Sequence, residues 1–291
     1  MRVLIDNYSS RTSTEPVYFE QTMKRIGIEA VTWNRNQIST YDVFDRVQPD
    51  LFITHYKHLN NDIIKYLLGS TKQIDFVLNV TGLNENELAT LNQILQDLKA
   101  KRIKIPFVFS NTPEGIPEAR LKDFKTHSIL PGADLFIPNH SGLDFEIGTA
   151  MLYMGNLEEK PYKVQNNSGE HETYHNIEIG EKTEFSDFSA TAVDMMPLYS
   201  KYKQICFIGK PQDLVSQLLF DAKIRHDNVT LVSDDQEKLN SILEGVYKAN
   251  FASPQDIKKK HTCLHRTNRL LSKLKVTINQ QALDQMIGSL V

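Results

Sequence analysis

Short apolar runs, too brief to be helices, alternate with stretches of helical period from the first residues onward, and few folds accept that order. Val3-Leu4-Ile5 reads as a buried strand. Glu15 to Ile26 reads as a helix, with Pro16 suited to its first turn and Gly27 to its end. Strands are expected at Glu29 to Trp33, Asp50 to His55, Asp75 to Asn79 and Ile105 to Phe109, the last closing the series. Helices at Tyr41 to Val47, Asn60 to Leu68 and Glu85 to Lys101 separate them. The last of these carries Leu88, Leu91, Ile94, Leu95 and Leu98 on one stripe. Such alternation implies a parallel sheet with crossover helices on both faces. Ligands of these sheets bind outside the carboxyl ends of the strands. The loops beginning at Asn7, His55, Thr81 and Asn111 are therefore the first places to look.

A turn-rich stretch follows, with Pro131-Gly132-Ala133-Asp134 and Pro138-Asn139-His140-Ser141-Gly142 on either side of three apolar residues. Beyond it a second α/β series begins. Strands are expected at Ala150 to Met154, Ile177 to Gly180, Gln204 to Ile208 and Val229 to Val232. Helices are expected at Leu214 to Ala222, Gln236 to Lys248, Pro254 to about Lys273, and Gln280 to Leu290. The polar stretch Gln165 to Glu172 reads as an exposed loop. A chain of 291 residues has room for two such lobes. The expected division is an N-terminal lobe over 1–140 and a C-terminal lobe over 141–291, closed by the terminal helices.

Several classes of function are disfavoured. No apolar stretch approaches the roughly 18–20 residues of a membrane span, and Asp6 interrupts the N-terminal apolar run too early for a signal peptide. Cys206 and Cys263 are the only two cysteines and lack CxxC spacing, so a thiolate zinc site or disulfide scaffold is not expected, and a cytoplasmic setting fits. With a net charge of −3 there is no global basic field for nucleic acid. The clusters around Lys99 to Lys104 and Lys258 to Lys260 read as solvated helix ends. His171 and His175 have i,i+4 spacing without a third ligand, and no metal site is expected.

Two strand-to-glycine turns stand out in the second lobe, Met154-Gly155-Asn156 and Ile208-Gly209-Lys210. A glycine there lets backbone N–H groups approach a phosphate, and Lys210 supplies a cation. Gln217 and Asp221 are four residues apart on one helix and share a face. In the first lobe His55 ends a buried strand and is a candidate general base, because imidazole titrates near neutral pH. Glu15 and Glu114 also follow strand ends and are candidates for the same work, as is Glu85. Tight turns and ordinary helix-start acids are the plainer readings of these residues.

The succession Tyr153-Met154-Gly155-Asn156, Leu198-Tyr199, Ile205 to Gly209 and Gln217 to Ala222 resembles the C-terminal lobe of GT-B glycosyltransferases. It is most similar to the spore-maturation (CgeB-type) group and its phage-encoded relatives. His261-Thr262-Cys263-Leu264-His265-Arg266 is similar to that group's HT-x-x-HR ending. Ile129 to Phe136 resembles the turn that carries such chains into the second lobe. The resemblance implies two Rossmann-like lobes whose parallel sheets face a central cleft. It also implies a metal-independent transfer of a sugar from a nucleotide-sugar donor to an acceptor with a free hydroxyl. The nucleotide sugar is then a co-substrate and no further cofactor is needed. Donor phosphates are expected near Gly155 and Asn156, and the ribose near Asp221.

A phage-type transferase acting on hydroxymethylated pyrimidine bases of DNA, in the host cytoplasm, is the alternative within the enzyme class. A non-catalytic, transferase-like binding protein is the alternative outside it. The latter draws on Lys223 to His226, where the group has Ala-x-x-Gly continuing from the ribose-binding acid and this chain lacks the glycine.

Overall fold

In a computed structural model, residues 1–7, 14–111, 121, 123–136, 151–155, 174–179, 188–190, 199, 202, 204–214, 217–226, 228–246, 254–276 and 278–290 are described. By their contacts they fall into two compact units. One comprises 1–8, 15–130 and 266–286; the other comprises 9–14, 131–265 and 287–291.

The first unit is built on six strands: β1 (Arg2–Asp6), β2 (Glu29–Trp33), β3 (Leu51–His55), β4 (Asp75–Asn79), β5 (Val108–Ser110) and β6 (Thr126–Ser128). They are parallel throughout, in the order β2-β1-β3-β4-β5-β6. The helices are α1 (Glu15–Arg25), α2 (Thr40–Val47), α3 (Asn61–Gly69) and α4 (Glu85–Ala100). Short polar caps start the last three: Ser39, Asn60 and Asn84 each accept from an N–H of the first turn, and Asn84 forms a reciprocal box with Glu87. The core packs Leu4, Phe44, Phe52, Phe76, Leu91 and Leu95, all at most 3% exposed. The sequence reading ends this sheet at the fifth strand and places that strand at 105–109. The structure starts it at Val108 and adds β6, whose three residues are too few and too polar to show a strand period.

The second unit holds β7 (Met151–Gly155), β8 (Tyr174–Ile179), β9 (Phe188–Ala190), β10 (Gln204–Gly209) and β11 (Val229–Ser233). They too are parallel, in the order β11-β10-β7-β8-β9. Its helices are α5 (Pro211–Leu214), α6 (Gln217–Arg225), α7 (Gln236–Val246) and α8 (Pro254–Lys260). Ala133, Phe220, Ile242 and Ile257 form a compact apolar cluster among them. Helices α9 (Cys263–Lys273) and α10 (Gln280–Leu290) complete the chain.

The expected single helix from Pro254 to Lys273 is broken at His261-Thr262. There the backbone pairs with the 131–136 segment: Ala133 N–H donates to His261 O at 2.9 Å, and Cys263 N–H donates to Ala133 O at 2.7 Å. A side chain at Gly132 would put a Cβ 2.5 Å from the Thr262 carbonyl, so the approach requires glycine. The two end motifs noted in the sequence, around Gly132 and Thr262, thus meet. The sequence reading divides the chain at 140/141 and leaves all of 141–291 together. The contacts instead change unit at 130/131 and return 266–286 to the first. Among the described residues no helix is long and apolar enough to cross a membrane, and neither Cys206 nor Cys263, both buried, forms a disulfide.

Candidate functional site

Each sheet reverses its strand order once. In the first unit the reversal lies between β1 and β3, and in the second between β7 and β10. At such a point the crossover helices leave in opposite directions and open a crevice at the carboxyl edge.

Asp6 is the last residue of β1, fully buried, and it gathers the first crevice. Arg35 holds it with two hydrogen bonds, Nε to Oδ1 at 2.8 Å and Nη2 to Oδ2 at 2.5 Å, while Thr54 Oγ1 of β3 donates to Oδ2 at 2.5 Å. The Arg35 guanidinium also lies 4.8 Å from the centre of the Trp33 ring. The His58 Nδ1 is 3.8 Å from Asp6 Oδ2, and its side chain retains 35% exposure. Burial draws the His58 pKa below its ordinary value; Asp6 opposes that shift and Arg35 reinforces it. The ring is therefore neutral near pH 7, with a carboxylate beside it that favours the imidazolium once a proton arrives.

His55 has a different place. Its Nδ1 accepts the Lys57 N–H at 3.2 Å, capping the short 3₁₀ turn Tyr56–His58, and its Nε2 lies 3.1 Å from the Thr81 carbonyl. An acceptor at Nδ1 fixes the neutral tautomer with hydrogen on Nε2, donating to Thr81. Burial, the largest cause, holds its pKa down at about 4. Both ring nitrogens are committed to the backbone. The side chain expected to act as a base caps a turn, and the neighbouring histidine three residues on sits beside the carboxylate.

Glu15 starts α1 and is buried, 3% exposed. It forms an ion pair with Arg266 Nη2 and accepts from Asn79 Nδ2 and Asn111 Nδ2, each at 3.3 Å. Arg266, 1% exposed, also donates to Asn111 Oδ1 at 2.6 Å and to the Ile129 carbonyl at 2.7 Å. Thr81 joins the cluster through Asn79 Oδ1, which accepts its hydroxyl at 2.6 Å, and through the Asn111 N–H, which donates to that hydroxyl at 2.8 Å. Glu15 is thus part of a buried polar network at the ends of β4 and β5. Removing either partner of such a buried ion pair leaves an uncompensated charge. Glu114 lies outside the described residues.

In the second crevice the two glycine turns are neighbours. Gly155 is the register partner of Ile208, and Gly209 follows it at the end of β10, with Lys210 exposed beyond. A Cβ on Gly209 would meet only Leu214, at an ordinary 3.6 Å, so the packing does not itself demand glycine there. Asn156 and the side chain of Gln217 lie outside the described residues.

Asp221 is fully buried. Its Oδ1 accepts from the Asp134 N–H at 2.7 Å and lies 3.5 Å from Arg225 Nη1, whose own side chain is 5% exposed. Arg225 Nη2 donates to the Asp134 carbonyl at 2.6 Å, and Thr14 Oγ1 donates to Asp134 Oδ2 at 2.6 Å. Buried Tyr199 has its hydroxyl pKa pushed well up by burial and by Asp221. The carboxylate expected near the ribose thus anchors α6 to the 131–136 segment.

Asp6, Arg35, Asn79 and Asn111 were not singled out as site residues from sequence. One signal was present: a polar residue within two positions of the end of each apolar run, Asp6 and Asn79 directly after theirs, His55 after Thr54 and Asn111 after Ser110. Among the described residues no group of three or more His, Cys, Asp or Glu is placed to hold a metal ion. A cavity of about 250 Å³ lies at the opposite, amino edge of the first sheet, against Asp50, Asp75 and Leu274.

No protein-family model matches the sequence, and neither does any curated protein. Among solved structures the chain is similar to the glycosyltransferase SnogD from Streptomyces nogalater, at 12% identity and a TM-score of 0.43, over 94% of this chain and 99% of that one. It is similar to the spinosyn rhamnosyltransferase SpnG, complexed with thymidine diphosphate, at 11% identity and a TM-score of 0.41, over 100% and 96%. A C2-type ketoreductase from a modular polyketide synthase is similar at 10% identity and a TM-score of 0.29, over 86% and 59%.

Proposed function

We propose that this protein is a glycosyltransferase of the spore-maturation type, moving a sugar from a nucleotide-sugar donor to a hydroxyl acceptor in the cytoplasm. One observation carries the reading: the second sheet reverses between β7 and β10, where both strands end in glycine, Gly155 and Gly209. Backbone N–H groups free of side chains at a switch point suit a diphosphate, and Lys210 adds charge against it. The first unit handles the acceptor. His58 takes the acceptor proton as the hydroxyl attacks the anomeric carbon, and Asp6 stabilises the imidazolium that results. The diphosphate leaves with the pair of electrons of the broken glycosidic bond, stabilised by the backbone amides and Lys210.

Thermal melts against nucleoside diphosphates and their sugars test the donor site, with thymidine diphosphate, the ligand of the rhamnosyltransferase structure, in the panel. Ligand at 100 times its Kd adds about 2.7 kcal/mol, several degrees for a chain of this size. Slow hydrolysis of the stabilising donor without acceptor, lost in His58→Ala by about 10²–10⁴-fold, completes the expectation. No stabilisation by any nucleotide would sink it. Stabilisation without turnover would favour the non-catalytic binding protein, a reading supported by the burial of Asp221. Binding to hydroxymethylated duplex DNA that weakens steeply with salt would identify DNA as the acceptor.

A further inference from the structure

The sequence brings two histidines to the end of β3, and the structure gives them complementary positions. We infer that His55 is the positioning residue for His58: its imidazole, tautomer set by the Thr81 carbonyl, accepts the Lys57 N–H and so shapes the turn that holds His58 beside Asp6. The inference rests on the proposed transferase reading for its catalytic meaning, and on geometry for its structural one.

The turn Tyr56–His58 has three residues and a hydrogen bond at each end. At its far end the Leu59 N–H donates to the Tyr56 carbonyl at 3.0 Å; at its near end the Lys57 N–H donates to His55 Nδ1 at 3.2 Å. Without that acceptor the Lys57 N–H must find another partner, and the path of the chain through His58 changes with it. The cap can act only while Nδ1 is unprotonated. The Thr81 carbonyl secures this by taking the Nε2 hydrogen, and Thr81 is itself fixed by Asn79, whose Oδ1 accepts both its N–H at 3.0 Å and its hydroxyl at 2.6 Å. Asn79 in turn donates to Glu15. The line of bonds therefore runs from the buried Glu15–Arg266 pair to the loop that carries His58. His58 faces Asp6 of β1 and Arg35 of the loop after β2, with the His55 ring 6.5 Å away and nearly perpendicular.

Two substitutions separate capping from bulk. His55→Asn keeps a side-chain oxygen that can cap the turn, as Asn60 and Asn84 do for α3 and α4. His55→Leu fills similar space and accepts nothing. Proton–nitrogen correlation spectra of His58 against pH, recorded on the full chain, read its surroundings without substrate. In the leucine variant the His58 midpoint is expected to move towards about 6.5, that of a solvated imidazole. There kcat should fall about a hundredfold with donor KM unchanged. In the asparagine variant both should stay close to wild type. An unmoved His58 titration in the leucine variant, or an asparagine variant as impaired as leucine, overturns the assignment. If the leucine variant fails to fold, the asparagine variant decides alone: a wild-type His58 titration supports the inference and a displaced one ends it. Failure of wild type to transfer or hydrolyse any donor would count against the function proposed above, leaving the spectroscopic result to judge His55.

Discussion

The two sheets share one construction rule and finish it differently. Both are parallel and both reverse their strand order once, but the first fills its carboxyl edge with interlocked side chains while the second ends its two switch strands in glycine. Asp6, Arg35 and Thr54 lock together at one crevice, with Glu15, Arg266, Asn79 and Asn111 beside it. In the second unit the buried charges, Asp221 and Arg225, hold a helix to the segment around Asp134. On the proposed function, the crowded edge would orient side chains for proton transfer and the glycine edge would present backbone amides to an anion. The same topology thus offers two kinds of chemistry.

The comparison can be broken hardest at the buried charges of the first unit. Arg266→Met leaves the Glu15 carboxylate buried without its ion partner and should cost about 3–5 kcal/mol in denaturant titration. Replacing both, with Glu15→Leu added, should restore much of that loss, and a double variant no better than the single would refute the account. In the second unit Asp221→Ala strands Arg225 in a site where its side chain is 5% exposed. It should destabilise by about 3 kcal/mol with little change in nucleotide affinity once folded. Weakened donor binding at full stability would instead return Asp221 to the ribose role that the family resemblance implies.

Acid should distinguish the units next. His55 titrates at about 4 in the folded chain against an ordinary 6.5, so the unfolded chain binds more protons between these values. Its contribution is complete above pH 6.5 and is lost as pH falls to 4, about 3 kcal/mol in all. His58, also lowered, adds in the same direction. Hydrogen exchange should show β3 opening before β10 on acidification; the reverse order would place the acid-sensitive groups elsewhere. The smallest expected effect is the most specific. Gly209→Ala meets no clash inside the protein, with Leu214 at 3.6 Å, so its melting temperature should hold. Nucleoside diphosphate affinity should drop about tenfold, some 1.4 kcal/mol, if the phosphates lie against that backbone. Unchanged affinity by calorimetry would move them away from it.

The α/β order, the parallel sheets and most helix positions were legible because they follow from local period: apolar stripes, polar caps and turn residues act over a few positions. The carboxyl-edge loops were legible for the same reason, since a polar residue after each apolar run marks where a strand ends. The sequence also brought His55 and Gly155 forward by position. Only the tertiary structure separates the surroundings of His55 from those of His58, because the difference is one carbonyl from Thr81 and one carboxylate from Asp6, both distant in sequence. It alone broke the last long helix at His261-Thr262, where pairing with Ala133 outweighs a helical pattern. And it alone turned Asp221 and Glu15 inward, since burial of a carboxylate depends on a partner such as Arg225 or Arg266. The second of those partners lies 251 residues along the chain, a separation over which no local pattern carries information.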